Sequence, residues 1–150
     1  MIKVLFICHG NICRSPMAEF ILKDMVTRRG IADQFYIASA ATSREEIGNP
    51  VYPPAVRELA RHGISAAGKR AVQLRAADYD SYDYLLAMEQ YNFVNMMKIL
   101  NGDPEDKVRL LLDFTDRPGD IADPWYCGHF DRTYQDICRG CEGLLAALGF

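Results

Sequence analysis

The sequence predicts an α/β fold with a doubly wound, four-stranded parallel sheet and helices on both faces. Three observations predict it. Short, mostly apolar runs recur at residues 2–7, 35–40, 82–88 and 108–111. Longer segments lie between them, with apolar residues at steps of three and four, the spacing of an amphipathic helix. The two kinds of segment alternate, and strands separated by helices pair in parallel through right-handed crossovers.

Each element has a local reason. The first strand, 2–7, holds the apolar run Val4-Leu5-Phe6-Ile7. A helix over 16–29 opens at Ser15-Pro16, where a hydroxyl before a proline reads as a cap and first turn. Met17, Ile21 and Met25 fall on one line of it, with Phe20 and Leu22 beside them. Arg28, Arg29 and Gly30 mark its end. Residues 35–40 (Phe-Tyr-Ile-Ala-Ser-Ala) form the second strand. A loop rich in Gly, Pro and charge covers 41–54, and a helix over 54–62 stops at Gly63. Residues 82–88 form the third strand and 89–100 a helix, while Val108-Arg109-Leu110-Leu111 is a short fourth strand. The last helix, 129–148, places Phe130, Tyr134, Ile137, Cys141, Leu144, Leu145 and Leu148 on one face. No repeat, low-complexity tract or linker interrupts the chain, so a single domain over 1–150 is expected.

Composition narrows the function classes. A chain of 150 residues can bury one well-packed core, and 49% hydrophobic with 25% charged residues is ordinary for a globular protein. A net charge of -3 gives no global argument for a nucleic-acid or membrane partner, so any anion affinity must be local. The first apolar run is too short for a signal or membrane segment, which leads us to expect a cytoplasmic protein. The five cysteines are Cys8, Cys13, Cys127, Cys138 and Cys141. An odd count without an export signal reads as reduced thiols. Cys138-Arg139-Gly140-Cys141 has a metal-like spacing but falls on the apolar face of the last helix, which reads as core packing. No metal or cofactor is expected.

The densest chemical signal is Cys8-His9-Gly10-Asn11-Ile12-Cys13-Arg14-Ser15. A strand runs into this loop and a helix leaves it. Five residues between Cys8 and Arg14 suffice to wrap backbone amides around one tetrahedral oxyanion, and a helix start favours an anion there. Arg14 can close the ring with a bidentate fork, and the same field stabilises Cys8 as a thiolate. Gly10 and Asn11 both tolerate the positive φ that inward-pointing amides require. In doubly wound sheets ligands bind beyond the carboxyl ends of the strands. That rule sets this loop beside the one after strand four, residues 112–126, although 115 positions separate Cys8 from Asp123.

The string Gly-Asn-Ile-Cys-Arg-Ser-Pro-Met-Ala-Glu, with Asp123-Pro124-Trp125-Tyr126 far downstream, resembles the low-molecular-weight protein tyrosine phosphatase family over the whole chain. The resemblance implies phosphotyrosine and aryl phosphate monoesters as substrates, phosphotyrosine-containing proteins as partners, phosphate or vanadate as inhibitors, and a monomer or weak dimer. It implies Cys8 as nucleophile through a cysteinyl-phosphate, Arg14 as phosphoryl ligand and Asp123 as general acid, worth about 10²–10⁴-fold. Asn11 would lock the loop, and Ser15, besides capping its helix, would donate to the sulfur. His9, Gly10, Ile12 and Cys13 complete the cradle. Ile12, Trp125 and Tyr126 would wall a deep aryl slot, and Cys13 would be the redox partner of Cys8.

Two positions depart from the family pattern. Glu45 stands where many members carry a pocket aromatic. Gly68 stands where a histidine usually supports the loop serine, a task that could pass to Glu89 and Asn92. Other readings stay open at this point. A protein-arginine phosphatase is disfavoured by Ile12 and the aromatic pair. An arsenate reductase of the same fold needs thiols that 14–126 lack, and a sugar-transport phosphocarrier would need neither Arg14 nor Asp123. A non-catalytic phosphotyrosine-binding module would have no use for Cys8 and Asp123.

Overall fold

The computed structural model describes residues 1–150. Strand β1 (Ile2–Cys8) is central, paired in parallel with β2 (Phe35–Ala41) on one side and β3 (Tyr84–Ala87) on the other. Strand β4 (Val108–Leu110) pairs with β3, so the order is β2-β1-β3-β4, all parallel. A strand covered on both faces has no solvated side, which is why Val4 to Cys8 form an unbroken buried run.

Successive side chains of β1 feed two separate cores. Val4, Phe6 and Cys8 pack with Met17, Ile21 and Leu22 of α1 (Arg14–Arg28), Ala55 and Leu59 of α2 (Pro53–Arg61), and Ile137, Cys141, Leu144 and Leu145 of α6 (Phe130–Ala147). Leu5 and Ile7 pack on the opposite face with Tyr79 of α3 (Asp78–Ser81), Leu85 and Ala87 of β3, and Met96 of α4 (Gln90–Leu100). Cys141 is fully buried and Cys138 partly so, the packing role expected of that pair. Helix α6 also fixes the chain after β4. A Cβ at Gly143 would run into the carbonyl oxygen of Phe114, so only glycine permits this approach to the tight turn Leu111–Phe114. That contact anchors the start of the segment that leads to Asp123, the residue capping helix α5 (Pro124–Cys127).

The expected strand and helix order is present, with differences at the ends. Helix α1 starts at Arg14, two residues before the expected Pro16, because the Met17 amide bonds the Cys13 carbonyl at 3.0 Å. Ser15 therefore lies inside the helix and caps nothing. Strand β3 begins only at Tyr84, since the Asp83 carboxylate takes the Lys3 amide (2.8 Å) in place of a ladder bond. The short elements α3 and α5 and the turns Ala32–Gln34 and Leu111–Phe114 had no counterpart in the sequence reading. Four residues cannot display a helical period.

Candidate active site

At the carboxyl end of β1 the chain folds back on the sulfur of Cys8. The Asn11 amide points at Cys8 Sγ (3.3 Å) and the Ser15 hydroxyl lies 3.0 Å from it. Asn11 adopts φ +59°, a left-handed conformation that asparagine tolerates better than most residues. Its side chain holds the bend: Oδ1 accepts from the Val72 amide (3.1 Å), and Nδ2 donates to Ser15 Oγ (2.8 Å) and Ser39 Oγ (3.0 Å). Gly10, expected to share the positive φ, does not adopt one. Its backbone is ordinary, and a Cβ there would lie in plain contact with Glu46. The loop is further pinned from outside by the Thr42, Ser43 and Tyr52 amides on the carbonyls of Cys8, His9 and Ile12.

Arg14 is 2% exposed, rare for a guanidinium, and its partners explain how it can be. Nη1 donates to Glu89 Oε2 (2.7 Å) and the Ile121 carbonyl (2.9 Å), while Nη2 faces Asp123 Oδ2 at 3.4 Å. Burial alone would lower its pKa, but the Cys8 sulfur, Asp123 and Glu89 outweigh that and raise it, so the group stays cationic. Glu89 thus supports the arginine rather than the loop serine, the task the sequence suggested for it. Asn92 backs Glu89 in turn, its Oδ1 accepting from the Glu89 amide at 3.1 Å.

Asp123 sits where its Oδ1 accepts from the Trp125 amide (3.0 Å), which leaves Oδ2 toward Arg14. Pro124 opens the short helix, and Asp123 keeps the extended geometry that precedes a proline. Three other aspartates are engaged elsewhere. Asp103 accepts from the Tyr79 hydroxyl and two backbone amides, Asp113 from the Leu110 amide and Asp120 from the Gln90 amide.

A cleft of about 220 Å³ opens above the loop, and every expected site residue except Asn11 and Ser15 lines it. Those two lie beneath, fully buried. Cys8 and Arg14 are the cleft's most buried polar groups and Asp123 is partly exposed, while Glu45, Trp125 and Tyr126 are exposed and Ile12 and Glu46 half-buried. Trp125 leans on Tyr52 with centroids 4.6 Å apart, and Tyr126 is 86% exposed, so neither is a core residue. Glu45 is tied across the rim to His9, with Nε2 to Oε2 at 3.0 Å. Cys13 also lines the cleft, yet burial pushes its thiol pKa far up, with Cys8 and Asp123 adding to the shift. The residues missed in the sequence are Ser39, Glu19 and Lys69, which meet behind Asn11. Only the run Met17-Ala18-Glu19 gave any hint of them.

This arrangement defines a class: a parallel α/β protein whose first strand ends in a tight loop folded over a buried thiol. The signature of the family described as low molecular weight phosphotyrosine protein phosphatase matches residues 3–149, and the chain belongs to that family. It is 38% identical to the low molecular weight protein-tyrosine-phosphatase YfkJ of Bacillus subtilis, over 99% of this chain and 96% of that one. It is 34% identical to PtpA of Staphylococcus epidermidis over 97% and 92%. The crystal structure of YfkJ superposes with a TM-score of 0.94, covering 99% of this chain and 95% of that one. Vibrio vulnificus Wzb in complex with benzylphosphonate is also similar, at a TM-score of 0.83, 26% identity, and 95% and 96% coverage. The protein is accordingly a phosphatase enzyme, and no helix is long and apolar enough to cross a membrane.

Proposed function

We propose that the protein removes phosphate from phosphotyrosine in proteins, and from aryl phosphate monoesters, through a cysteinyl-phosphate. In the first step Cys8 Sγ attacks phosphorus and an S–P bond forms as the P–O bond to the aryl group breaks. The carboxylic acid of Asp123 gives its proton to the departing oxygen. In the second step Asp123, now a carboxylate, takes a proton from water as the water oxygen bonds phosphorus. The S–P bond breaks, and its electron pair returns to Cys8. Arg14 and the loop amides hold the non-bridging oxygens throughout, with donors already oriented before charge develops.

One observation carries this reading: Cys8, Arg14 and Asp123 line a single cleft although the third comes from the far end of the chain. Support for an aryl group comes from the rim, where Ile12, Trp125 and Tyr126 offer apolar and aromatic walls to a flat ring. The similar Wzb structure, solved with benzylphosphonate, agrees with that choice. Phosphate and vanadate would compete for the cradle, and the whole chain would act as one phosphatase domain. Cys13, protonated by its environment, would serve as the thiol that resolves an oxidised Cys8.

The test is hydrolysis of p-nitrophenyl phosphate in EDTA by the wild type, Cys8→Ser and Asp123→Ala. The first change should abolish turnover, and the second should cut it by about 10²-fold or more. A fully active Cys8→Ser enzyme would overturn the mechanism.

A further inference from the structure

Helix α2 starts on an unusual residue. The position before a helix favours a short side chain whose oxygen reaches the opening amides, and Ser, Thr, Asp and Asn lead there. Tyr52 occupies it and makes no capping hydrogen bond. Its ring is used elsewhere. It contacts Trp125, with centroids 4.6 Å apart and planes tilted by 48°, and Phe130, at 6.1 Å and 33°. Both separations suit favourable aromatic pairs. The Tyr52 amide, meanwhile, donates to the Ile12 carbonyl at 2.9 Å. One residue therefore holds the loop after β1 by its backbone and the segment around Asp123 by its ring.

That segment has few other holds. The Ile121 amide reaches the Met88 carbonyl (2.8 Å), and the Ile121 carbonyl accepts from Arg14 (2.9 Å). Beyond it, no backbone hydrogen bond leaves residues 122–129 except to the start of α6. Helix α5 has four residues, too few to stand by itself, and Tyr126 and Cys127 are exposed. Pro124 is buried, and Asp123 Oδ2 meets Arg14 only at 3.4 Å. The Trp125 amide donates to Asp123 Oδ1 (3.0 Å), so the carboxylate moves with the residue whose ring Tyr52 holds.

We infer that Tyr52 is a positioning residue which, through Trp125, keeps the Asp123 carboxyl in place relative to the loop that carries Cys8. The inference rests on the proposed reaction, in which Asp123 gives its proton to the departing aryl oxygen as the P–O bond breaks. A catalytic group misplaced by about 1 Å can cost about 10²-fold. The cost falls on leaving groups that need the proton. Phenolate is about as basic as tyrosinate, with a pKa near about 10. The p-nitrophenolate ion is a much weaker base and departs with little help.

The experiment measures kcat/KM on phenyl phosphate and on p-nitrophenyl phosphate, which reports formation of the cysteinyl-phosphate. It compares the wild type with Tyr52→Phe, Tyr52→Asn, Asp123→Ala and the Tyr52→Asn, Asp123→Ala double variant. Asparagine supplies the missing cap, so α2 is not weakened by the change. Trp125 is the only tryptophan, so acrylamide quenching of its fluorescence reports whether its ring has been released. Tyr52→Asn should lose about tenfold on phenyl phosphate and less than about threefold on p-nitrophenyl phosphate, with stronger quenching. Tyr52→Phe keeps the ring and should match the wild type on both substrates. With Asp123→Ala already in place, Tyr52→Asn should add no further selective loss on phenyl phosphate. Equal losses on the two substrates, no loss on either, or a selective loss that persists without Asp123 would overturn the inference. If Tyr52→Asn does not fold, Trp125→Leu breaks the same contact from the other side and decides by the same ratio. An Asp123→Ala enzyme that loses no more on phenyl phosphate than on p-nitrophenyl phosphate would instead overturn the proposed acid itself.

Discussion

Glu89 offers the most direct trial of how the arginine is held. Glu89→Gln keeps the shape and removes the charge opposite a guanidinium that is 2% exposed. Arg14 would keep a neutral amide oxygen in place of its shortest, charged partner at 2.7 Å, and retain the Ile121 carbonyl at 2.9 Å and Asp123 at 3.4 Å. A hydrogen bond to a charged group is worth about 1.5–3 kcal/mol, and breaking a fully buried pair costs about 3–5 kcal/mol. Glu89 is 23% exposed and a second carboxylate remains, which places the cost near the lower end, about 2 kcal/mol. For a chain of this length that corresponds to roughly 4–8 °C in Tm. If the same loss is felt where Arg14 meets the transition state, kcat/KM falls by about 30-fold. Thermal unfolding should be followed in phosphate-free buffer, because a ligand in the cradle stabilises the folded state by mass action. Steady-state hydrolysis of p-nitrophenyl phosphate supplies the second number. A Tm within about 1 °C of wild type, together with kcat/KM within about threefold, would refute the claim that Glu89 fixes Arg14.

The remaining predictions concern a second carboxylate and a thiol. Desolvation pushes the Asp103 carboxyl upward, but hydrogen bonds from Tyr79, Lys107 and Val108 outweigh it and hold its pKa below the usual value. A depressed carboxylate stabilises the fold above its unfolded pKa of about 3.9, and that contribution is lost as pH falls through the lower folded value. Urea midpoints should therefore separate wild type from Asp103→Asn at neutral pH and converge toward about pH 3, and a constant gap would contradict this origin. Cys13→Ser should leave peroxide-treated enzyme with an irreversibly oxidised Cys8 and no recovery on thiol addition, whereas the wild type recovers through a disulfide. Intact-mass analysis distinguishes the two, and equal recovery would remove Cys13 from any redox role.

Much of the fold was legible because its elements are long enough to show a period. The apolar line Met17, Ile21 and the face Ile137, Cys141, Leu144, Leu145 proved to be buried as their spacing implied. The unbroken run Val4-Leu5-Phe6-Ile7 correctly marked a strand with no exposed face. Ends were less legible. Ser15-Pro16 carries the local chemistry of a helix start, yet the backbone bond from Met17 to Cys13 begins the helix earlier and turns Ser15 toward the sulfur. Gly10 tolerates a positive φ but does not adopt one, and the bend falls to Asn11 alone.

The sequence by itself determined the chemistry on offer: a thiol after the first strand, an arginine six positions on, and an Asp-Pro-aromatic run near the far end. It also determined that parallel topology would bring them to one edge of the sheet, since crossover handedness leaves few alternatives. Only the tertiary structure decided which carboxylate holds Arg14, which one faces it across the cleft, and that Glu45 would close on His9. It alone placed Lys69 and Glu19 behind Asn11. Local propensity depends on neighbours a few residues apart, whereas these contacts span 20 to 109 positions. Such pairs are set by distance and burial in the folded chain, and no periodicity in the sequence records them.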